Sequence, residues 1–337
     1  MITYIFITLL LSFLMLAYFK TAVVFNIIDK PGARSSHQKP TIRGGGILFL
    51  FAAIIWIFFR GFETPYAVAG LFLIGIISFM DDIKSQSGYL RILIHFTAIG
   101  LLFYEIGLWN MHGYLLLAAI FLTVGWINAF NFMDGINAML TFNSFVTLGT
   151  FSLLNNANRL IKPVFQNTFP AEWTSFFPGG LIGAIFISLL IFGFYNVRRQ
   201  ARVFSGDVGS ITMAFLQSWI MLQLMIETRN AYWLLFFAVY GIDTSVTLFM
   251  RMIDGENITK AHRKHLYQLM SNELKMPHIF VSSIYAIIQL IINIITIALF
   301  FTGNMNWFVF AIILMTLLFV YFVARSKIRH AINRNKL

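Results

Sequence analysis

Long apolar runs alternate with short polar connections along almost the whole chain. An α-helix needs roughly 20 apolar residues to cross a bilayer, and runs near this length recur eleven times. They cover residues 2–19, 45–59, 65–80, 91–107, 114–131, 136–154, 179–196, 210–226, 231–250, 278–302 and 307–324. The pattern predicts an all-α fold, a polytopic membrane bundle of about eleven transmembrane helices.

The composition also indicates a membrane protein. Hydrophobic residues make up 59% of the 337 residues and charged residues only 11%, far from the balance of a soluble domain. There is no cysteine, which excludes disulfides, thiolate metal sites and cysteine nucleophiles. No connection is long enough for a separate soluble domain, so residues 1–337 are predicted to form a single integral membrane domain.

The basic residues predict how the bundle is oriented. If the runs alternate in direction, 20 of the 24 Lys and Arg lie on one face. The other face has Arg60, Arg159, Lys162 and Arg229. The positive-inside rule then places the N-terminus outside and the C-terminus in the cytoplasm. The net charge of +11 therefore reflects topology and attraction to anionic lipid, and we expect no nucleic-acid partner.

Two adjacent carboxylates, Asp81 and Asp82, end the third run on the predicted cytoplasmic face. Such a pair suits divalent-cation binding or proton abstraction from a phosphate. A solvated helix end is the alternative interpretation. Acidic groups at a helix C-terminus are disfavoured by the helix dipole, and this favours a functional role.

A polar stripe ends the fifth run. Asn128, Asn131 and Asp134 follow one another at a spacing of three residues, so they share a helix face. The stripe could line a polar ligand cavity or make hydrogen bonds between helices.

A glycine-flanked aspartate, Asp207, follows three arginines and opens the eighth run. Its flanking Gly206 and Gly209 let the backbone approach a phosphate, and the next helix offers free N–H groups to an anion. Asp207 could then hold a Mg²⁺ that bridges phosphate oxygens.

The last cytoplasmic connection has a compact cationic cluster, His262-Arg263-Lys264-His265. It suits a diphosphate or a sugar phosphate. A zinc site is less favoured, because two histidines three residues apart have no third ligand nearby. Asp243 lies inside the ninth run, where a buried packing role and a functional role are both open.

In this order, these motifs resemble those of the polyprenyl-phosphate N-acetylhexosamine-1-phosphate transferases, which are members of glycosyltransferase family 4. The resemblance covers most of the chain. Its motifs are Asp29-x-Pro31, His37, Pro40, Gly44-Gly45-Gly46, Asp81-Asp82, Asn128-x-x-Asn131-x-x-Asp134-Gly135, Phe204-x-Gly206-Asp207-x-Gly209-Ser210, Asp243-Thr244, Arg251 and His262-x-x-His265.

The resemblance implies a cytoplasmic active-site cleft in the inner membrane of a bacterium. There, a sugar 1-phosphate would pass from a UDP-sugar to undecaprenyl phosphate with release of UMP, using Mg²⁺ or Mn²⁺. By similarity, the metal ligands would be Asp207 and Asp82. The catalytic residues would be Asp81, Asp82, Asp134 and His262. The substrate-binding residues would be Asn128, Asn131, Phe204, Gly206, Arg263, His265 and His37. Within these sets, Phe204 would face the uracil, and Asp81 or Asp82 would orient or deprotonate the lipid phosphate.

The chain departs from the family pattern at two places. Asn137 stands where many relatives have a second aspartate, and Ser85 where some have a third acid. The histidine cluster is closest to the branch that starts O-antigen or capsule glycans. This favours UDP-GlcNAc or a 6-deoxy-HexNAc donor over UDP-MurNAc-pentapeptide. A lipid-linked sugar flippase or transporter is the alternative of a different class, and a homodimer is left open.

Overall fold

The computed structural model of the chain describes residues 2–32, 36, 39–61, 63–258, 260 and 262–334. Its α-helices are α1 (Ile2–Val24), α2 (Ile47–Arg60), α3 (Pro65–Ile83), α4 (Gly88–Glu105), α5 (Gly113–Met133), α6 (Met139–Asn155), α7 (Ala157–Leu160), α8 (Gly179–Asn196), α9 (Gly206–Thr228), α10 (Ala238–Ile253), α11 (Leu266–Gln268), α12 (His278–Phe301) and α13 (Trp307–Arg334). Shorter elements are the 3₁₀ helices Leu108–Asn110 and Tyr232–Phe237, the π-helical turn Leu269–Glu273, and the antiparallel strands β1 (Ile28–Asp29) and β2 (Thr41–Ile42).

Each of the eleven predicted runs falls on one of these helices, the ninth on a 3₁₀ turn that continues into α10. Within the described residues, eight helices are long and apolar enough to cross a membrane. The other three runs correspond to α2 and α6, which are only 14 and 17 residues long, and to α4, which has charged residues near both ends. The all-α polytopic membrane fold is confirmed, and the number of eleven crossings stays a prediction.

Helix α9 lies at the centre of the bundle. Almost all of its residues from Val208 to Leu224 are buried, and it packs against α2, α3, α5 and α6. In contrast, α1 and α13 have few buried residues, so their apolar side chains are available to lipid. The first turn of α9 therefore lies in the middle of one end of the bundle.

Glycines bring the first turns of α2 and α9 into backbone contact. A Cβ on Gly209 would lie only 2.8 Å from the Cα of Gly46. The segments before the two helices run in parallel, with the amides of Gly45 and Gly46 donating to the carbonyls of Phe204 and Ser205, each at 2.9 Å. Two helix N-termini thus lie side by side, and both direct partial positive charge at the same end of the bundle.

Candidate active site

Asp82 binds the first turn of α9. Its Oδ1 accepts the amide of Asp207 at 2.9 Å and its Oδ2 accepts the amide of Val208 at 3.0 Å. The side chain is 0% exposed. The carboxylate is unfavourably placed at the C-terminus of its own helix α3, but the positive N-terminus of α9 offsets this. Asp82 therefore attaches α3 to α9 and positions Asp207.

Arg43 joins the two aspartates. Its Nε lies 2.7 Å from Oδ1 of Asp82, and its Nη2 lies 3.3 Å from Oδ1 of Asp207. The backbone of Arg43 is held as well, because its amide donates to the carbonyl of Ile27 at 3.1 Å and its carbonyl accepts the hydroxyl of Tyr18 at 2.5 Å. Sequence reasoning gave Arg43 no role. A basic residue directly before a glycine run that opens a helix was the available signal.

Asp81 has different partners from Asp82. Its Oδ1 accepts the amide of Gln86 at 2.6 Å, and its Oδ2 lies 3.1 Å from Nη1 of Arg91. Its carboxyl is also near enough to that of Asp207 for the two to interact. The predicted aspartate pair thus divides into one carboxylate that holds a helix terminus and one that lies near Asp207.

Asp134 completes the group of carboxylates. It follows the last residue of α5, and its carboxylate accepts a hydrogen bond from the hydroxyl of Ser205. Shielding from water raises the pKa of the Asp134 carboxyl to about 8; the bond from Ser205 opposes this rise, and the negative charges of Asp207 and Asp82 add to it. A large share of Asp134 is therefore protonated at neutral pH.

The carboxylates fit a metal that the substrate helps to bind. Among the described residues, no three carboxylates or imidazoles form a ready-made metal site. Mg²⁺ is usually held by only one or two carboxylates together with substrate phosphates. Asp207 and Asp81 could supply them, and a divalent cation there would offset the negative charges of Asp207 and Asp82, which add to the burial that raises the pKa of Asp134.

A cavity of 1460 Å³ adjoins the carboxylates. The side chains of Ile42 and Phe204 line it, whereas their chain neighbours Arg43 and Ser205 contact the aspartates. The paired backbone segments therefore separate the cavity from the carboxylates. The charged side chains along the cavity are Lys39, Arg199, Arg202, Arg263, Glu273 and Lys275. Its size and positive charge suit a nucleoside diphosphate.

Asn137 shapes one wall of this cavity. Its side-chain Nδ2 donates to the carbonyls of Arg198 at 2.9 Å and Arg199 at 3.5 Å. Its backbone carbonyl accepts the hydroxyl of Ser282 at 2.8 Å. An aspartate carboxylate could not donate the two side-chain bonds. The amide at this position is thus tied to the path of the arginine-rich loop before Phe204.

The histidine cluster is fastened beside Asp134. Nδ1 of His265 lies 3.4 Å from Oδ1 of Asp243. Two residues later, Tyr267 donates its hydroxyl to the backbone carbonyl of Phe132 at 2.8 Å. Asp243 is fully buried and also accepts bonds from the hydroxyl of Tyr285 at 2.6 Å and the amide of Leu266 at 3.0 Å. Asp243 therefore organises this loop from inside the bundle.

His265 and His262 differ in exposure. His265 is buried, whereas His262 is half-buried, with the two ring centroids 4.8 Å apart. Shielding from water and the electrostatic influence of His265 and Arg251 lower the pKa of His262 to about 4. His262 is thus a neutral imidazole at pH 7, and its neighbour Arg263 reaches the cavity.

Of the remaining predicted residues, Gly206 packs beside Asp82 and the two asparagines lie in the last two turns of α5. Asn128 is exposed, and its amide donates to the carbonyl of Val124 on its own helix at 2.8 Å. Asn131 is half-buried in the last turn of α5. Gly206 has φ +69°, and a Cβ there would lie 2.8 Å from the Cα of Gly44. His37 lies outside the described residues.

Residues 64–225 match the family model described as glycosyl transferase family 4. Undecaprenyl-phosphate alpha-N-acetylglucosaminyl 1-phosphate transferase of Salmonella typhi is 26% identical over 276 residues, 74% of this chain and 71% of that protein. The same-named protein of Escherichia coli (strain K12) is 26% identical over 285 residues, with the same coverage. Over residues 64–225 the chain is therefore similar to glycosyl transferase family 4. A probable undecaprenyl-phosphate N-acetylglucosaminyl 1-phosphate transferase of Bacillus subtilis (strain 168) is 21% identical over 274 residues, 74% of this chain and 70% of that protein.

The family 4 segment extends from the start of α3 into the last turns of α9. It thus includes Asp81, Asp82, Asp134 and Asp207. Arg43 and the histidine cluster lie outside the matched residues, and the fold joins both to the matched segment, Arg43 through Asp82 and the histidine cluster through the bond from Tyr267 to Phe132.

Proposed function

We propose that this protein transfers an N-acetylhexosamine 1-phosphate from a UDP-sugar to undecaprenyl phosphate, releasing UMP and starting synthesis of a cell-envelope glycan. The observation that carries the proposal is a group of carboxylates near a cavity rich in basic side chains: Arg43 contacts Asp82 and Asp207, and Asp134 accepts a hydrogen bond from Ser205, two residues before Asp207. Relatives named as undecaprenyl-phosphate transferases support the acceptor and the reaction type.

The donor would bind in the cavity. Phe204 offers an aromatic face for the uracil, and the cations Lys39, Arg199 and Arg202 neutralise the diphosphate. Arg263 and the neutral His262 lie on the loop nearest Asp134 and suit the sugar side. For transfer, the β-phosphate of the donor would have to extend past the segments of Ile42 and Phe204 to reach Asp207.

Asp207 and Asp81 would hold Mg²⁺, or Mn²⁺ in its place, against the diphosphate. When bound, the metal supplies neutralisation of the charge that develops on the phosphate oxygens. Asp82 contributes differently from its predicted role as a ligand, because both of its oxygens accept amides of α9. It sets the position of Asp207.

The reaction is a phosphoryl transfer between two phosphates. An oxygen of the lipid phosphate attacks the β-phosphorus, the bond from that phosphorus to the bridging oxygen breaks, and UMP leaves. Asp81 and Asp134 are the groups that could orient or deprotonate the lipid phosphate. We favour direct attack over a phospho-aspartate, and a labelled sugar phosphate trapped on the protein without acceptor would contradict this.

The active site would face the cytoplasm of a bacterium from its inner membrane, with the N-terminus outside. The support is that 20 of the 24 Lys and Arg lie on the predicted cytoplasmic side. UDP-sugars are made in that compartment, so the orientation also suits the donor.

UMP release tests the function. The purified protein, undecaprenyl phosphate and Mg²⁺ would be combined with UDP-GlcNAc, UDP-GalNAc, UDP-FucNAc, UDP-QuiNAc or UDP-MurNAc-pentapeptide, beside Asp207→Asn. We expect one N-acetylhexosamine donor to yield UMP and the variant to lose at least about 100-fold in rate. Folded protein that releases no UMP from any donor would contradict the proposal.

A further inference from the structure

We propose that Arg43 is an exchangeable counter-ion: it occupies Asp207 until the metal-bound diphosphate arrives, and then turns to a phosphate oxygen while staying attached to Asp82. The competition between Arg43 and a divalent cation for Asp207 can be tested without any substrate. The later contact of Arg43 with a phosphate oxygen rests on the proposed function and deepens it.

The two contacts of the Arg43 side chain are unequal. The bond from Nε to Asp82 is short, at 2.7 Å, and its carboxylate is 0% exposed. The contact from Nη2 to Asp207 is longer, at 3.3 Å, and that carboxylate is 20% exposed. The contact with Asp82 is therefore the fixed one, because breaking it would leave a buried carboxylate without a partner. The contact with Asp207 can be exchanged for water, a metal ion or a phosphate.

The backbone around Arg43 limits the exchange to the end of the side chain. The amide and the carbonyl of Arg43 are held by Ile27 and Tyr18, and Gly44 follows with φ +79°. With both the main chain and Nε fixed, only the terminal nitrogens can change partner. If the guanidinium turns while Nε stays bound to Asp82, Nη2 leaves Asp207 and becomes available to another partner.

The charges of the site favour such an exchange. A guanidinium and a divalent cation compete for Asp207, because two cations beside one carboxylate repel each other. A guanidinium is planar and binds phosphate through a fork of N–H groups. Released from Asp207, Arg43 can stabilise the negative charge on the phosphate undergoing transfer.

Mn²⁺ binding without any substrate tests the competition. Purified full-length protein would be titrated with Mn²⁺, and the free ion measured by electron paramagnetic resonance, for wild type, Arg43→Gln and Asp207→Asn. We expect Arg43→Gln to bind Mn²⁺ about tenfold more tightly than wild type, the usual effect of removing one neighbouring charge. Asp207→Asn should bind it more weakly than both.

Lys20→Gln is the matched control for net charge. Lys20 is an exposed cation near the end of α1, and its loss removes the same charge without touching an aspartate. We expect Lys20→Gln to bind Mn²⁺ as wild type does. Equal midpoints for wild type and Arg43→Gln, whether both bind Mn²⁺ or neither does, would overturn the proposal.

Arg43→Lys keeps the test informative if Arg43→Gln does not fold. Lysine retains a cation for the buried Asp82 but lacks the fork needed to reach Asp207 at the same time. We expect Arg43→Lys to gain Mn²⁺ affinity severalfold and, with the accepted donor, to lose roughly 100-fold in turnover.

Wild-type Mn²⁺ affinity in Arg43→Lys would overturn the competition. Unchanged turnover would overturn the phosphate contact. If no donor is accepted at all, the proposed function fails while the Mn²⁺ result still decides the competition.

Discussion

Adjacent residues of one motif have different tasks in this protein. Asp81 and Asp82 are neighbours in sequence, yet Asp82 is bound to the amides of α9 and to Arg43, whereas Asp81 contacts Arg91 and lies near Asp207. Successive residues of a helix point about 100° apart, so one side chain reaches the amides of α9 and the other reaches Arg91 on α4. The sequence indicated a functional pair and could not assign the two tasks.

Replacing each aspartate by asparagine separates the tasks. Asp82→Asn removes the charge that holds Arg43 and two helix amides, and we expect unfolding to become easier by about 3 kcal/mol. Asp81→Asn, the matched control, should melt close to wild type and lose activity. Thermal unfolding in detergent measures the first effect and UMP release the second. Equal melting temperatures for the two variants would contradict the division.

Asp134 gives the stability a pH dependence. The folded pKa of about 8 lies above the roughly 3.9 of an unfolded aspartate, so the folded protein binds the extra proton. Stability should fall as the pH rises from about 4 to about 8, with a limiting slope of about 1.4 kcal/mol per pH unit from this group. Asp134→Asn removes this group, so the stability of the variant should depend less steeply on pH. Melting curves from pH 5 to 8 with a metal chelator would measure the two slopes, and equal slopes for wild type and variant would contradict the prediction.

At the scale of elements, the apolar runs located the helices well, because each helix must cover its backbone with about 20 apolar residues in lipid. They could not reveal which helix ends touch. The contact between α2 and α9 depends on Gly46 and Gly209, 163 positions apart in sequence. The parallel pairing that precedes it likewise joins segments with no shared pattern.

Gly46→Ala tests this contact. The added Cβ has no room against the backbone of Gly209, so the first turns of α2 and α9 must move apart and carry Arg43 away from Asp207. We expect a lower melting temperature and a large loss of UMP release. Gly125→Ala is the matched control, since Gly125 lies in α5 with nothing within 4 Å of its added Cβ, and it should melt at or above wild type. A stable, active Gly46→Ala protein would show that the contact can adapt.

At the scale of the whole molecule, the site is assembled from segments that are distant in sequence. Asp81, Asp134 and Asp207 could be proposed from the sequence, because polar residues at the ends of apolar helices are conspicuous, and Phe204 was added by the family resemblance. The sequence did not predict the arginine that contacts Asp207, since Arg43 belongs to a face already rich in basic residues. Nor did it predict that Asp243 would support His265 from within the bundle.

Asn137 joins three of these segments, and its replacement tests how they cooperate. Asn137→Asp has the carboxylate typical of the family pattern, but it cannot donate to the carbonyls of Arg198 and Arg199. We expect the arginine-rich loop to shift and the KM for the UDP-sugar to rise about tenfold, with a smaller change in kcat. Steady-state kinetics would check this, and Asn137→Gln keeps the donor as a comparison. A KM below that of wild type would mean that the carboxylate contacts the nucleotide.

The glycine contact between α2 and α9 also limits where this site can change in evolution. No side chain fits at Gly46, so the geometry around Asp207 is closed to gradual variation. The far wall of the cavity is different, because Glu273 and Lys275 are exposed and lie on a turn, where a substitution alters the ligand's surroundings without disturbing packed helices. Changes in how this cavity binds its ligand would therefore arise more readily along that wall than at the centre of the site.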